Sequence, residues 1–395
     1  MPEFPPINRV LFYIPVVTPW WFAEVVFPLI QTLSEELEVH VMVPPMWRGT
    51  GIGAGQASLI SQSQGVFWHL LDGENHPQLR VDASSEKGLL DFVHNLAPDL
   101  TLCRTADIKT TASFPRTVKH MMEGAAPPFK SGVNRIKFAD TLFDYGLMPD
   151  LTQGEATKLD AIGEVLWSDQ IEPLIQSFPS RTEFCAENDL PDDRKIIGLP
   201  LEYEHPENFF NQHLPFANNA AMVRAIAELI PDDCVMAVTQ HPLNEPHSEI
   251  GPVQAAIAAQ DERVMLLESA TTQGRRTLEL AFHCDAMITS TSKSWAPCAA
   301  FGNPLARLTE FKTGDWVSAY KSVENLLADL RAGTTRNPDT AIASRYFAYH
   351  FANSAFAPKD ADLHANKIIE RATVTHNPAI WDQSIAEYRG LFASH

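Results

Sequence analysis

Three short stretches carry residue types that could handle a polar substrate. In "KHMMEGAAPPF" (Lys119 to Phe129), Glu123 is followed by a glycine and two alanines. Small neighbours leave room for a hydroxyl to approach the carboxylate and lose its proton to it, although a lone glutamate can also be an ordinary surface residue. In "VTQHPLN" (Val238 to Asn244), His241 follows an apolar run and precedes Pro242. An imidazole held at a strand end by a proline can donate to an anionic oxygen; equally, the proline can be there only to stop the strand. In "TSTSKS" (Thr289 to Ser294), the hydroxyls and N–H groups of Ser290, Thr291 and Ser292 precede an expected helix near Ala296. Such a cluster can bind an anion without net positive charge, or it can cap the helix.

All three must be positioned by strands. "RVLFYIP", a helix from about Phe22 to Leu37 and "EVHVMVP" read as a strand, helix, strand unit, the building block of parallel sheets. "GVFWHLL" and "PDLTLCR" continue the series, with "EKGLLDFVHNLA" between them at helical spacing. A second series begins at "KIIGLPLEY" and runs through "DCVMAVTQHPLN", "RVMLLES", "DAMITSTS" and "GNPLARLTE", with helical stretches between. Two alternating series predict an α/β protein of two doubly wound, Rossmann-like domains facing a cleft, with ligands at the carboxyl ends of strands. The polar stretch "SFPSRTEFCAENDLPDDRK" places the boundary so that the domains are 1–187 and 188–395. The tail, including "NPAIWDQSIAEYRGLF", reads as amphipathic helices in which Trp381 and Tyr388 pack.

Glycines in "RGTGIGAGQAS" do not form a dinucleotide fingerprint: they follow the second strand and have the wrong spacing, so a flexible loop is expected. Length fits two domains of ordinary size. Forty-nine acidic against thirty basic residues give a formal charge of -19, and no Lys/Arg run interrupts it, which argues against nucleic acid or anionic lipid as partner. Five scattered cysteines without CxxC spacing predict buried thiols, neither disulfides nor a zinc site. The N-terminus has no basic leader before an apolar segment, and nowhere do about 18 apolar residues run together. A cytoplasmic protein without an integral membrane segment is expected, with peripheral membrane association left open.

From Lys195 onward the order "IIGLPLEYEHPENFF", "VTQHPLN" and "DAMITSTSKSWAPCAAFGNPLARL" resembles the bacterial capsule-polysaccharide transferases that use CMP-activated ulosonic acids such as Kdo, and the bacterial sialyltransferases similar to them. The resemblance implies the GT-B fold, with an N-terminal acceptor domain and a C-terminal donor domain. It also implies an acidic pair before glycine in the first domain, an HP dipeptide and a Ser/Thr motif in the second. His241 and Pro242 match the HP dipeptide, and Ser290, Thr291 and Ser292 match the Ser/Thr motif. Glu202 stands where the family often has glutamine, among the donor-binding residues. Glu123 and Gly124 match the end of the acidic motif, but Met122 replaces its first carboxylate. The catalytic base implied is therefore Glu123, or Asp140 or another acid in its place.

The function implied is transfer of a sugar, Kdo or another nonulosonic acid, from a CMP-activated donor to a hydroxyl of a bacterial glycan or glycoconjugate. Trp20 and Trp21, after the first strand, are positions where an acceptor could stack or which could simply pack. No DxD-like motif stands at a strand end, so neither metal nor cofactor is expected beyond the nucleotide-sugar co-substrate. Related two-domain folds also host sugar-nucleotide epimerases and other polysaccharide-modifying transferases. Loss of the acid at Met122 keeps a non-catalytic nucleotide-sugar-binding protein as a further alternative.

Overall fold

The computed structural model describes residues 6–244, 250–268 and 274–390. The expected end of the last helix, at Leu391 and Phe392, lies outside them. Two units are present: Met1–Ala125 with Ser131–Leu142 and His350–His395, and Ala126–Lys130 with Phe143–Tyr349.

The first unit holds β1 (Arg9–Tyr13), β2 (Glu38–Val43), β3 (Val66–Leu70), β4 (Leu100–Cys103), β5 (Thr117–Glu123) and β6 (Ile136–Ala139) in the order β3-β2-β1-β4-β5-β6. All neighbours are parallel except β5 and β6. That order is the doubly wound one, with its switch point between β1 and β4. Apolar residues fill both faces of β1 and the Val39, Val41 and Val43 face of β2, as a sheet covered by helices requires, while the other face of β2 carries Glu38, His40 and Met42. The helical stretch after β1 begins at Pro19–Trp21, capped by Thr18, passes through a π-helical Phe22–Val26 and ends as Phe27–Ser34. Its Phe22, Val26, Leu29 and Leu33 form the core beneath the sheet.

The second unit holds β7 (Lys195–Pro200), β8 (Cys234–Thr239), β9 (Val264–Leu266), β10 (Ala286–Thr289) and β11 (Leu305–Arg307), all parallel, in the order β11-β10-β7-β8-β9. The same winding recurs, with the switch point between β7 and β10. The two alternating series are thus two doubly wound α/β sheets, as the sequence predicts.

The division of the chain differs from the single cut expected after residue 187. The helix Gln153–Leu166 belongs to the second unit because it packs on Thr340–Tyr349: a Cβ on Gly163 would stand 2.5 Å from Ser344 Oγ, and Arg345 pairs with Asp160 at 2.7 Å. After Tyr349 the chain belongs to the first unit, where Phe356 pairs with Ile136 and the helix Ala365–Thr373 sets Ile368 and Ala372 into the core. Trp381 and Tyr388 are fully buried there, as packing residues.

Two further expectations are corrected. The glycine-rich stretch is an ordered turn that leads, through Gly53, into the helix Ala54–Gln62: buried Arg80 donates to Thr50 Oγ1, Thr50 O and Pro45 O, and Gly51, at φ +104°, donates its N–H to Val17 O. A Cβ on Gly51 would sit 2.5 Å from Pro45 O, so only glycine closes it. The glycine of the acidic stretch makes room for the chain itself, since a Cβ on Gly124 would lie 3.0 Å from the Ile136 carbonyl and 3.1 Å from the Ala355 methyl.

Candidate functional site

Each unit brings its candidate residues to the carboxyl ends of its strands, and each is described separately.

In the second unit the segment after β7 sits between the ends of β8 and β10. Two buried asparagines fix it. Asn219 accepts the Glu202 N–H at 3.1 Å and donates to the Glu202 carbonyl at 2.9 Å; Asn244 donates to the same carbonyl at 2.9 Å and accepts the Glu204 N–H at 2.8 Å. The Glu202 carboxylate then crosses the switch point: its Oε1 accepts the N–H groups of Thr291 and Ser292, each at 3.1 Å. Burial pushes this carboxyl up to about 7, against the pull of the N–H groups on Ser290, Thr291 and Ser292, which favour its charged form. The N–H groups expected to meet an anion are thus already taken by a carboxyl oxygen of the chain itself. The helix that follows, Trp295–Ala300, is too short to add much dipole, and its first turn takes no side-chain cap.

Side chains remain as donors for a ligand. Ser292 Oγ donates to Ser294 Oγ at 3.1 Å, and Ser290 Oγ, 1% exposed, has no hydrogen-bond partner among the described residues. His241 is half-buried at the end of β8, its ring centroid 5.3 Å from that of Tyr203. Its Nδ1 accepts the Leu243 N–H at 3.2 Å, which places the proton of the neutral ring on Nε2 and makes that nitrogen a donor. Pro242 lies in the turn closed by the Asn244 N–H on His241 O. Behind the Ser/Thr loop, Tyr145 donates to Thr291 O at 3.1 Å, stacks on Trp295 and lies under the buried Arg307 guanidinium.

In the first unit Glu123 ends β5 and is exposed, while Met122 is buried, so a carboxylate at 122 would have lost its water. Gly124 donates its N–H to Arg135 O, and its carbonyl accepts Nε2–H of buried His350 at 2.7 Å. Asp140, the other candidate acid, belongs elsewhere. In the β5–β6 register it lies beyond Ala139, opposite Lys119, to which it is paired at 2.5 Å. Four strand residues, about 13 Å, separate that end of β5 from Glu123.

Trp21 is buried and Trp20 half-exposed. Trp21 carries the Arg104 guanidinium over its ring at 3.8 Å, across the switch point between β1 and β4. Arg104 donates to Met121 O. Burial pulls its guanidinium down to about 10, and the charge of Glu123 opposes that shift, so it is cationic at pH 7. Arg104, Asn219 and Asn244 are the site residues that motif reading missed. The signal for them was position alone, since Arg104 directly follows the strand "LTLC" and Asn244 ends "VTQHPLN". Among the described residues no group of three or more His, Cys, Asp or Glu side chains could hold a metal ion. No described helix is long and apolar enough to cross a membrane.

No known family and no curated protein matches the chain in sequence. Solved structures do resemble it. The β-Kdo 2,7-transferase KpsC of Thermosulfurimonas dismutans is 9% identical at a TM-score of 0.47, covering 92% of this chain and 98% of its own. A putative UDP-N-acetylglucosamine 2-epimerase of Listeria monocytogenes is 15% identical at a TM-score of 0.31, covering 87% and 96%. The UDP-GlcNAc 2-epimerase of Neisseria meningitidis is 12% identical at 0.32, covering 86% and 97%. These likenesses are distant, and the fold is read from the strand orders of the two sheets.

Proposed function

We propose that this protein is a glycosyltransferase that moves a sugar, Kdo or another nonulosonic acid, from a CMP-activated donor to a hydroxyl of a bacterial glycan or glycoconjugate. The observation that carries the proposal is the convergence, on three adjacent strand ends of one doubly wound sheet, of His241, the Glu202 segment and Ser290 to Ser292. These are the residues that the HP and Ser/Thr resemblance singles out, and they meet at the switch point where such sheets bind ligands.

In this reading His241 donates Nε2–H to a donor phosphate oxygen, and the Ser294 hydroxyl, held by the proton of Ser292 Oγ, adds a further donor. Glu202 holds the Ser/Thr loop in shape, so recognition of the phosphate falls on side chains. As the bond to the leaving nucleotide breaks, these donors stabilise the charge that develops on it. Glu123 takes the proton of the attacking acceptor hydroxyl, and Arg104 fixes the charge balance beside it. No bound metal or cofactor takes part, so EDTA leaves turnover unchanged.

A transfer assay tests the proposal. Release of CMP from CMP-Kdo or a CMP-nonulosonic acid should require an added acceptor sugar and fall at least a hundredfold in Glu123→Ala. Interconversion of free sugar nucleotides would point to epimerase chemistry instead. Binding of CMP without turnover would identify a binding protein.

A further inference from the structure

The segment that leaves β7 serves both strand ends beside it. Glu202 turns its side chain toward β10, to the Thr291 and Ser292 N–H groups, and the next residue, Tyr203, turns its ring toward the end of β8, to His241. Consecutive side chains of an extended chain point to opposite sides, so a strand lying between two others can reach both. The Tyr203 and His241 ring centroids are 5.3 Å apart, with their planes at 30°.

Hydrogen bonds fix part of His241. Its backbone N–H donates to Gln240 Oε1 at 3.0 Å, an oxygen that also accepts from Asn244 Nδ2 at 2.9 Å. Its Nδ1 accepts the Leu243 N–H at 3.2 Å. That bond holds one point of the ring. A pivot about the line from Cβ to Nδ1 would still swing Nε2 through an arc, and a second ring packed against the imidazole resists it; aromatic pairs favour such offset geometries by their own attraction.

Tyr203 is itself held in place. Its hydroxyl donates to Glu207 Oε1 at 2.9 Å, and its carbonyl accepts from Asn208 Nδ2 at 2.8 Å and from Asn211 Nδ2 at 3.0 Å. Its ring lies parallel to that of His205, within 7°, at 5.7 Å. Burial and the bond to Glu207 hold the phenol well above its ordinary range, so it remains a neutral donor at pH 7.

We propose that Tyr203 is the positioning residue of His241: its ring sets the plane of the imidazole and so the direction in which Nε2–H meets an anionic oxygen. The identity of that oxygen, a donor phosphate, rests on the transferase reading; the ordering of the ring does not. Tyr203 acts through His241 and makes no bond of its own to the ligand.

Carbon-13 relaxation of the His241 ring in the full chain, assigned through His241→Ala, tests the ordering. The ring should be rigid in the wild type and in Tyr203→Phe, which keeps the aromatic face, and mobile in Tyr203→Leu and Tyr203→Met, which remove it. Titration with CMP tests the consequence. Tyr203→Leu should weaken CMP about threefold or more, the cost of immobilising on binding a side chain that the wild type holds ready. Tyr203→Phe should stay within about twofold of the wild type. In the His241→Ala background Tyr203→Leu should change CMP affinity by less than about twofold, as expected when one residue acts through the other. A rigid His241 ring in the Leu and Met variants would overturn the proposal, as would an equal loss of CMP affinity with and without His241. A wild type that binds no CMP would instead overturn the transferase reading, and ring relaxation would still decide the role of Tyr203. The Met variant serves where the Leu variant fails to fold.

Discussion

The Glu202 carboxylate accepts the Thr291 N–H at 3.1 Å across 89 residues of sequence, and the same oxygen takes the Ser292 N–H at the same distance. A buried acid thus closes the switch point of the second sheet, where the sequence alone placed an open anion cradle.

Stability should reveal that closure through its pH dependence. With the folded pKa raised from 4.5 to about 7, the folded state binds this proton more tightly than the unfolded chain. The associated stability is full below about pH 4.5 and is lost as pH rises through 7. Glu202→Gln keeps an oxygen for the two N–H groups and removes the titration. It should be more stable than wild type at pH 8, by on the order of 3 kcal/mol, and the difference should shrink to under about 1 kcal/mol at pH 5. Denaturant melts of both proteins at the two pH values check this, and a Gln variant less stable at pH 8 would count against it.

Two buried histidines of the first unit give the opposite slope. Burial pushes His120 down to about 4 and His350 down to about 3, so both are neutral in the fold and become charged on unfolding below pH 6.5. The unfolded chain then binds more protons, and stability falls as pH falls from 6.5 toward 4. His120→Phe should flatten that fall measurably. A variant whose acid limb follows that of wild type would remove His120 from the explanation.

At Gly124 the prediction is steric. A methyl there meets the Ile136 backbone at 3.0 Å and the Ala355 Cβ at 3.1 Å, and neither is the end of a flexible side chain. Gly124→Ala should cost about 1–3 kcal/mol and shift the turn that follows Glu123. A thermal melt gives the first and the transfer assay the second. An alanine variant with unchanged melting temperature and turnover would show that the β6 backbone yields.

How far the sequence could carry these points depended on distance along the chain. Strands such as "CVMAVT" were legible because a parallel strand covered on both faces must be apolar throughout and a proline soon follows its end. His241 and Ser290 to Ser292 were legible as strand-end residues for the same reason. Their relation through Glu202 was not, since it depends on β7 lying between β8 and β10, a fact of sheet order. Arg104 was hidden for a similar reason: a single arginine after a strand has no motif, and its role appears only with Trp21 beneath it. The glycine of the acidic stretch was seen, but its neighbour across the sheet, Ile136, lies on a strand that periodicity did not reveal. The boundary after residue 187 missed the division because Gly163 and Ser344, whose close approach binds distant helices, lie 181 residues apart.

Nucleotide binding by the second unit tests the transferase reading most directly. Thermal melts with saturating CMP, UDP and GDP should show a rise of a few degrees with CMP alone, by linkage of binding to folding. His241→Ala should weaken CMP binding about tenfold or more, as expected for a lost bond to a charged phosphate, without changing acceptor affinity. Stabilisation by UDP or GDP but not CMP, or CMP binding indifferent to His241→Ala, would contradict it.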